Sequence, residues 1–271
     1  MKIFDCAIYF DEDLMLDLRM NILNQHVEKF IIVEAAHDHQ GNIKKRNFDI
    51  KNFKKFENKI QYFFIESIPE EYSSWERENY QRNYISRCLG DLNDDDLVII
   101  SDVDEIPNLK SINQFYGNKY SVFEQKMFYY KFNLLNNSQP FWYGSKVCKK
   151  KYLKSPQWLR NLKSKQYPFW RFDKININII KNGGWHFSFL KNAQDIEKKL
   201  KTYTHHWEYD IKPLGVDKIE QMIKEKKTVY DLKVDMKSSQ FGKGQNLDTV
   251  DLDQLPSYIQ NNLDKYKLWL D

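Results

Sequence analysis

The sequence predicts an α/β fold, a mostly parallel sheet flanked by helices, with a helical C-terminal appendage. Two observations carry this. Apolar strand-like runs and helical or polar connections alternate four times in the first hundred residues, the pattern of parallel strands joined by crossovers and covered on both faces. The chain of 271 residues is also long enough to bury one sizeable α/β core.

Taken in order, "KIFDCAIYF" reads as a strand and "DEDLMLDLRMNILNQHV" as the helix after it. Asp11 is placed to cap that helix, and Leu14, Leu18 and Ile22 form an apolar stripe. "VEKFIIVEA" is a second buried strand ending at Glu34. The lysine-rich stretch after it reads as a surface loop carrying one short helix. "IQYFFIESI" is the third strand. In "SSWERENYQRNYISRCLG", Ser73 stands three residues before Glu76, the spacing of a capping box, and Gly90 is placed as a C-terminal cap. "LVIIS" is the fourth strand, and Pro107 suits the first turn of a following helix. Further on, "YSVFEQKMFYYKFNLL" and "PFWYGSKVC" read as longer strands. "ININIIKNGGWHFSFL" reads as a hairpin turning near Asn182, Gly183 and Gly184, and "NAQDIEKKLKTYTHHWEYD" contains a helix with Ile196 and Leu200 on one face. The expected division is a main domain over residues 1–210 and a helical extension over 211–271 packed on it.

Composition narrows the function. The net charge is only +4 with 30% charged residues of both signs, which does not favour nucleic acid as a partner. Cys6, Cys88 and Cys148 are an odd, widely spaced set without a CxxC pair. They suit packing positions in a reducing compartment and neither a disulfide framework nor a zinc site. No signal peptide or spanning segment is apparent, so a cytoplasmic protein is expected.

The chemistry concentrates at "DDDLVIISDVDEIP". In an extended segment Asp102 and Asp104 point to the same side while Val103 points back into the core. Two neighbouring carboxylates repel, and a hard divalent cation relieves that repulsion. Oxygen-only ligands suit Mg2+ or Mn2+, which take their remaining ligands from water and substrate phosphates. The pair also stands at the carboxyl end of a strand, where open α/β sheets bind ligands. The expected ligand is a nucleotide diphosphate. Asp94, Asp95 and Asp96, before the strand, read as a turn.

"FDEDLMLDLRMNIL", "FIIVEAAHDHQG", "WERENYQRN", "VIISDVDEIP", "GGWHFSF" and "HHWEYD" resemble, in order and approximate spacing, glycosyltransferase family 17, over roughly residues 1–210. The resemblance implies a GT-A-like fold, a UDP-sugar donor, N-acetylglucosamine as the sugar, and transfer with inversion to a glycan or lipid-linked saccharide. It implies that Asp104 ligates the metal, and that Asp102 reaches the donor ribose or the metal. A downstream histidine, His186 or His206 with His186 preferred, completes the metal shell. Glu105 becomes a third acid facing the sugar, against the alternative of a helix-start carboxylate. Glu34 would meet the nucleoside. The Arg82 fork would hold the diphosphate, with Glu78 four residues earlier either orienting it or simply pairing with it. Inversion needs a base, for which Glu208 is preferred over His206 and Asp210, with Asp195 weaker. The basic, aromatic stretch 146–174 would then face the acceptor or the inner membrane surface. A metal-dependent nucleotidyltransferase or phosphohydrolase could use the same carboxylates, and a non-catalytic glycan- or RNA-binding module could use the basic aromatic stretch.

Overall fold

The computed structural model describes residues 1–168, 170–171, 173–202, 209–210, 212–229 and 244–271. The strands are β1 (Ile3–Tyr9), β2 (Lys29–Ala35), β3 (Ile60–Ile65), β4 (Leu97–Asp102), β5 (Glu105–Pro107), β6 (Tyr120–Phe123), β7 (Gln125–Tyr129), β8 (Leu134–Asn136), β9 (Phe141–Trp142), β10 (Lys146–Lys149), β11 (Asn178–Ile180), β12 (Gly184–Ser188) and β13 (Leu247–Thr249). The main helices are α1 (Asp13–Leu23), α2 (Ser74–Tyr84), α3 (Pro156–Asn161), α4 (Ala193–Thr202) and α5 (Val216–Lys224). Among the described residues, no helix is long and apolar enough to cross a membrane.

The chain forms two compact units, one of residues 1–125 and 143–184, the other of 126–142 and 185–271. This division departs from the 210/211 boundary read from the sequence. The reason is strand partnership: β12 pairs in parallel with β7, and β13 pairs antiparallel with β8, so the middle of the chain and its tail share one sheet.

In the first unit the sheet order is β11-β6-β10-β4-β1-β2-β3. Strands β4, β1, β2 and β3 run parallel, as the strand–helix alternation predicts. β10 is inserted antiparallel between β4 and β6. On one face Cys6, Ile31, Val33, Val98 and Ile100 pack with Ile85, Cys88 and Leu89, which follow α2, and with Leu159 of α3. Towards the β2–β3 edge, Phe30 meets Phe56, and Phe48 stacks on both Phe53 and Tyr62. All three cysteines are free and buried, the packing role expected of them.

The local signals hold in part. Ser73 and Glu76 close the predicted capping box at the start of α2. Gly90 is not the cap of that helix, because a 3-10 turn, Ile85–Cys88, follows α2 directly. α1 begins after Glu12 rather than Asp11, with no side-chain cap. Its buried face is Met15, Leu16, Leu18, Arg19, Met20 and Leu23, whereas Leu14 and Ile22 of the expected stripe are only half-buried. Pro107 ends β5 instead of opening a helix. The predicted hairpin around Asn182 does not form: β11 pairs in parallel with β6, and β12 with β7. Asn182 and Gly184 both have positive φ. A Cβ on Gly184 would strike the carbonyl of Ile106 and lie 2.7 Å from Asn108 N, so glycine here permits a close backbone crossing.

The second unit carries a sheet with the order β13-β8-β7-β12, to which β9 adds on β7. Met127, Tyr129, Leu134, Ile196, Leu200, Ile219 and Met222 form its core, so Ile196 and Leu200 share a buried face as predicted.

Candidate active site

The parallel strands of the first unit end at one edge, and β4 leads there into the turn Val103–Asp104 and then β5. Arg19, fully buried on α1, braces this turn from below. Its Nε and one terminal nitrogen each donate to Asp5 at 2.6 Å, a fork-to-fork pair with no exposure on either side. The other terminal nitrogen donates to the carbonyls of Glu105 at 2.5 Å and Asp102 at 3.2 Å. Just before β10, Ser145 Oγ donates to the Glu105 carbonyl and accepts from Ser101 Oγ. The turn is fixed through its carbonyls while its carboxylates point elsewhere.

Those carboxylates meet two arginines. Arg160, near the end of α3, forms a fork on Glu105, at 2.7 Å to Oε2 and 2.9 Å to Oε1, and also donates to Asp102 Oδ2 at 2.6 Å. Arg82 on α2 donates from one terminal nitrogen to Glu78 at 2.5 Å and to Asp102 Oδ1 at 2.9 Å, and from the other to Gln157. Its Nε is buried with no hydrogen-bond partner among the described residues. Glu105 also accepts from the Asp102 backbone N–H at 3.0 Å. Burial opposes charge on both guanidiniums, but Asp102 and Glu78 outweigh it at Arg82, and Asp102 and Glu105 outweigh it at Arg160, so both pKa values are raised.

Lys146 stands at the start of β10, where it pairs with Ile100, and its ammonium donates to the Arg160 carbonyl. Burial, reinforced by the charge of Arg160, pushes it down to about 7. His39, in the loop after β2, is also pushed down, chiefly by burial, with Glu78 the main opposing charge.

The structure thus gathers Glu78, Arg82, Asp102 and Glu105 into one ion-pair network beside Asp104. Glu105 is buried, with its carboxylate turned to Arg160 and to the backbone, not set out as an acid facing solvent or as a helix start. Glu34 is likewise turned inward. Its oxygens accept from Lys44, from the N–H groups of Asn47 and Phe48, and from the Tyr62 hydroxyl, and the side chain has no exposure. In this position it pins the loop after β2. His186 belongs to the second unit, where it is buried on β12 with its ring 5.1 Å from Trp142. Asp210 is an exposed residue of that unit, while Glu208 and His206 lie outside the described residues. Asp195 stands in the first turn of α4, as its spacing predicts.

The basic aromatic stretch is largely structural. Lys146–Lys149 is the inserted strand, Trp158 packs on Tyr120, and Lys149 and Lys151 pair with Asp95. Trp170 is 63% exposed, and Phe169 and Phe172 lie outside the described residues.

Whether this turn suits a metal follows from its donors. Both Asp102 oxygens accept from guanidinium, so the repulsion expected between Asp102 and Asp104 is relieved by arginine, and Asp102 does not fit as a metal ligand in this arrangement. Among the described residues no three His, Cys, Asp or Glu are grouped to hold a metal. Asp104, half-buried at the turn, offers carboxylate oxygen alone, which fits a hard cation that keeps water and phosphate ligands.

Arg19 and Arg160 are absent from the sequence reading. Arg19 carries a usable signal, since it falls three residues after Leu16 and four before Leu23, on the face of α1 that is otherwise apolar. Arg160 carries none, being one of many cations between 146 and 174.

Comparison with known proteins gives one family and several remote structures. The profile of Glycosyltransferase family 17 matches residues 1–271. No curated protein matches the chain. Among solved structures, an active-site mutant of LgtC is 12% identical, with 59% of this chain and 60% of that one covered and a TM-score of 0.28. The galactosyltransferase LgtC in complex with donor and acceptor sugar analogues is 10% identical over 59% and 60% of the two chains, with a TM-score of 0.27. The 2-C-methyl-D-erythritol 4-phosphate cytidylyltransferase of Francisella tularensis is 11% identical over 73% and 98%, with a TM-score of 0.35. The chain therefore spans 60% of the length of the LgtC structures it matches.

Proposed function

The chain belongs to glycosyltransferase family 17, and from that premise we propose that it transfers a sugar, N-acetylglucosamine first among the candidates, from a UDP-sugar to a glycan or lipid-linked saccharide, with inversion. The observation that supports this reading is the turn at the carboxyl end of β4, where Asp102 pairs with two buried guanidiniums and Asp104 follows at the turn. Open α/β sheets bind their ligands at such strand ends, and arginine forks match phosphate oxygens two at a time.

In this reading Arg82 and Arg160 hold the diphosphate and fix the direction in which it departs. Glu78 and Glu105 keep the forks aimed. Asp104 would hold Mn2+ or Mg2+, which when bound supplies Lewis-acid stabilisation of the charge left on UDP. A base removes the proton from the acceptor hydroxyl as the anomeric carbon is attacked from the face opposite UDP. Glu208 is the first candidate, then His206 and Asp210. Exposed Trp170 offers a stacking platform for an acceptor sugar.

The test is release of UDP from a panel of UDP-sugars by wild type and Asp104→Ala, each checked for an unchanged unfolding midpoint. The expected result is manganese-dependent turnover, best with UDP-GlcNAc, that Asp104→Ala abolishes. Turnover that survives excess chelator, or that survives in Asp104→Ala, would overturn the metal assignment. Absence of turnover with every UDP-sugar and acceptor would overturn the donor assignment.

A further inference from the structure

We infer that Arg82 and Arg160 form an oxyanion site for a phosphoryl group, at which the carboxylate of Asp102 serves as an internal stand-in. The inference rests on the nucleotide-sugar reading above only for the identity of the ligand as a diphosphate.

The geometry is that of two donors converging on one anion. Arg82 gives Asp102 Oδ1 one hydrogen bond and Arg160 gives Oδ2 another, at 2.9 and 2.6 Å. Each arginine also keeps a carboxylate of its own, Glu78 for Arg82 and Glu105 for Arg160. Removing Asp102 from between them would therefore leave both forks positioned and leave one N–H on each aimed at the vacated place. A phosphoryl group presents two oxygens to such a pair as a carboxylate does.

Exposure gives the direction of entry. The Asp102 side chain is 35% exposed, against 4% for Arg82 and 11% for Arg160. Of these three groups it is the one solvent reaches most, and an anion arriving from solvent meets it before it meets the guanidiniums. Charge points the same way. With Asp102 in place the five groups sum to minus one, and without its charge the two arginines and two glutamates sum to zero, so removing that charge lowers the repulsion an incoming anion meets. The Arg82 Nε, buried with no partner among the described residues, adds a further donor at the same guanidinium. Asp102 thus competes with the ligand, and the anion must displace it to bind.

Inorganic pyrophosphate in chelator, titrated into folded protein by calorimetry, tests the exchange. Asp102→Ala should bind it with a Kd at least about tenfold lower than wild type, roughly the 1.4 kcal/mol that each tenfold represents, since the charge-assisted hydrogen bonds that Asp102 takes up become available to the ligand. Arg160→Gln should weaken binding by a comparable factor, and Asp102→Ala/Arg160→Gln should lose the gain. Asp102→Asn, which keeps the shape and removes the charge, provides the same comparison through the rise in melting temperature with added pyrophosphate, should the alanine variant fold poorly. Equal or weaker pyrophosphate binding once the Asp102 charge is gone, or binding indifferent to Arg160→Gln, would overturn the inference. Tighter binding in Asp102→Ala from a protein that turns over no UDP-sugar would leave the oxyanion site standing and remove the donor assignment. Normal turnover without the affinity gain would remove the exchange alone.

Discussion

Replacing Arg19 by Met should separate the stability of the site from its shape. Arg19 and Asp5 have no exposed side-chain surface, and removing one partner of a buried ion pair costs about 3–5 kcal/mol, because the remaining charge is left in a low dielectric. The same substitution strips a donor from the carbonyls of Asp102 and Glu105; Glu105 keeps the Ser145 hydroxyl, whereas a buried acceptor left unpaired costs about 1–3 kcal/mol. The contact to the Val103 carbonyl, at 3.5 Å, is at the limit of a hydrogen bond and adds little. Arg19→Met alone should therefore lose about 5 kcal/mol, a large share of the 5–15 kcal/mol typical of a native fold. Asp5→Leu/Arg19→Met removes both charges and should recover about 3 kcal/mol of this, leaving the carbonyls still unbraced. Urea unfolding followed by tryptophan fluorescence reads the stability as a change in midpoint at constant slope. Hydrogen exchange at residues 102–106 reads the turn. The expected pattern is a double variant more stable than the single, with amide protection in the turn as low as in the single. If the double variant were no more stable than the single, or if it exchanged like wild type across the turn, the bracing role of Arg19 would be refuted.

Two further predictions follow from the same unit. Lys146 sits at about 7, against 10.5 for an exposed lysine. Between those values the unfolded chain holds more protons than the folded one, so this residue makes stability rise with pH from about 7 to 10.5, and below 7 its penalty is constant. Lys146→Met should flatten that rise, and unfolding midpoints measured across the range that stay parallel in the two proteins would count against it. Gly184→Ala places a methyl group against the backbone of Ile106 and Asn108 at positive φ, and should destabilise by roughly 3 kcal/mol from overpacking and backbone strain together. A wild-type melting temperature in that variant would show that the crossing is not tight.

The parallel core was legible because each strand is a compact apolar run whose ends are marked by charge or turn residues, and the acids at 102–105 stood out for the same reason. The buried arginines were not legible. Periodicity counts arginine as polar, so it draws the stripe through Leu14, Leu18 and Ile22 and passes over Arg19, which lies on the inner face. The predicted hairpin fails because turn residues between two strand-like runs are a local signal, whereas the partners of these strands, β6 and β7, lie over fifty residues away. Pairing at that distance is decided by which edges are open in the folded sheet, and no local window contains that. Glu34 and Glu105 were identified as acids at strand ends, but whether such an acid faces inward depends on donors supplied by other segments, such as Tyr62 and Arg160.

The insertion of β10 between β4 and β6 bears on how this protein can be dissected. A fragment stopping at residue 125 would contain every parallel strand of the large sheet up to β6, yet β4 and β6 would face each other across a missing strand. Asp102 and Glu105 would be severed from Arg160. Neither a proteolytic nick nor a truncation can isolate the acidic turn with its counterions, so biochemical work on it requires polypeptide reaching at least through α3. During synthesis, likewise, Glu105 must wait for some fifty-five more residues to emerge before Arg160 can match its charge.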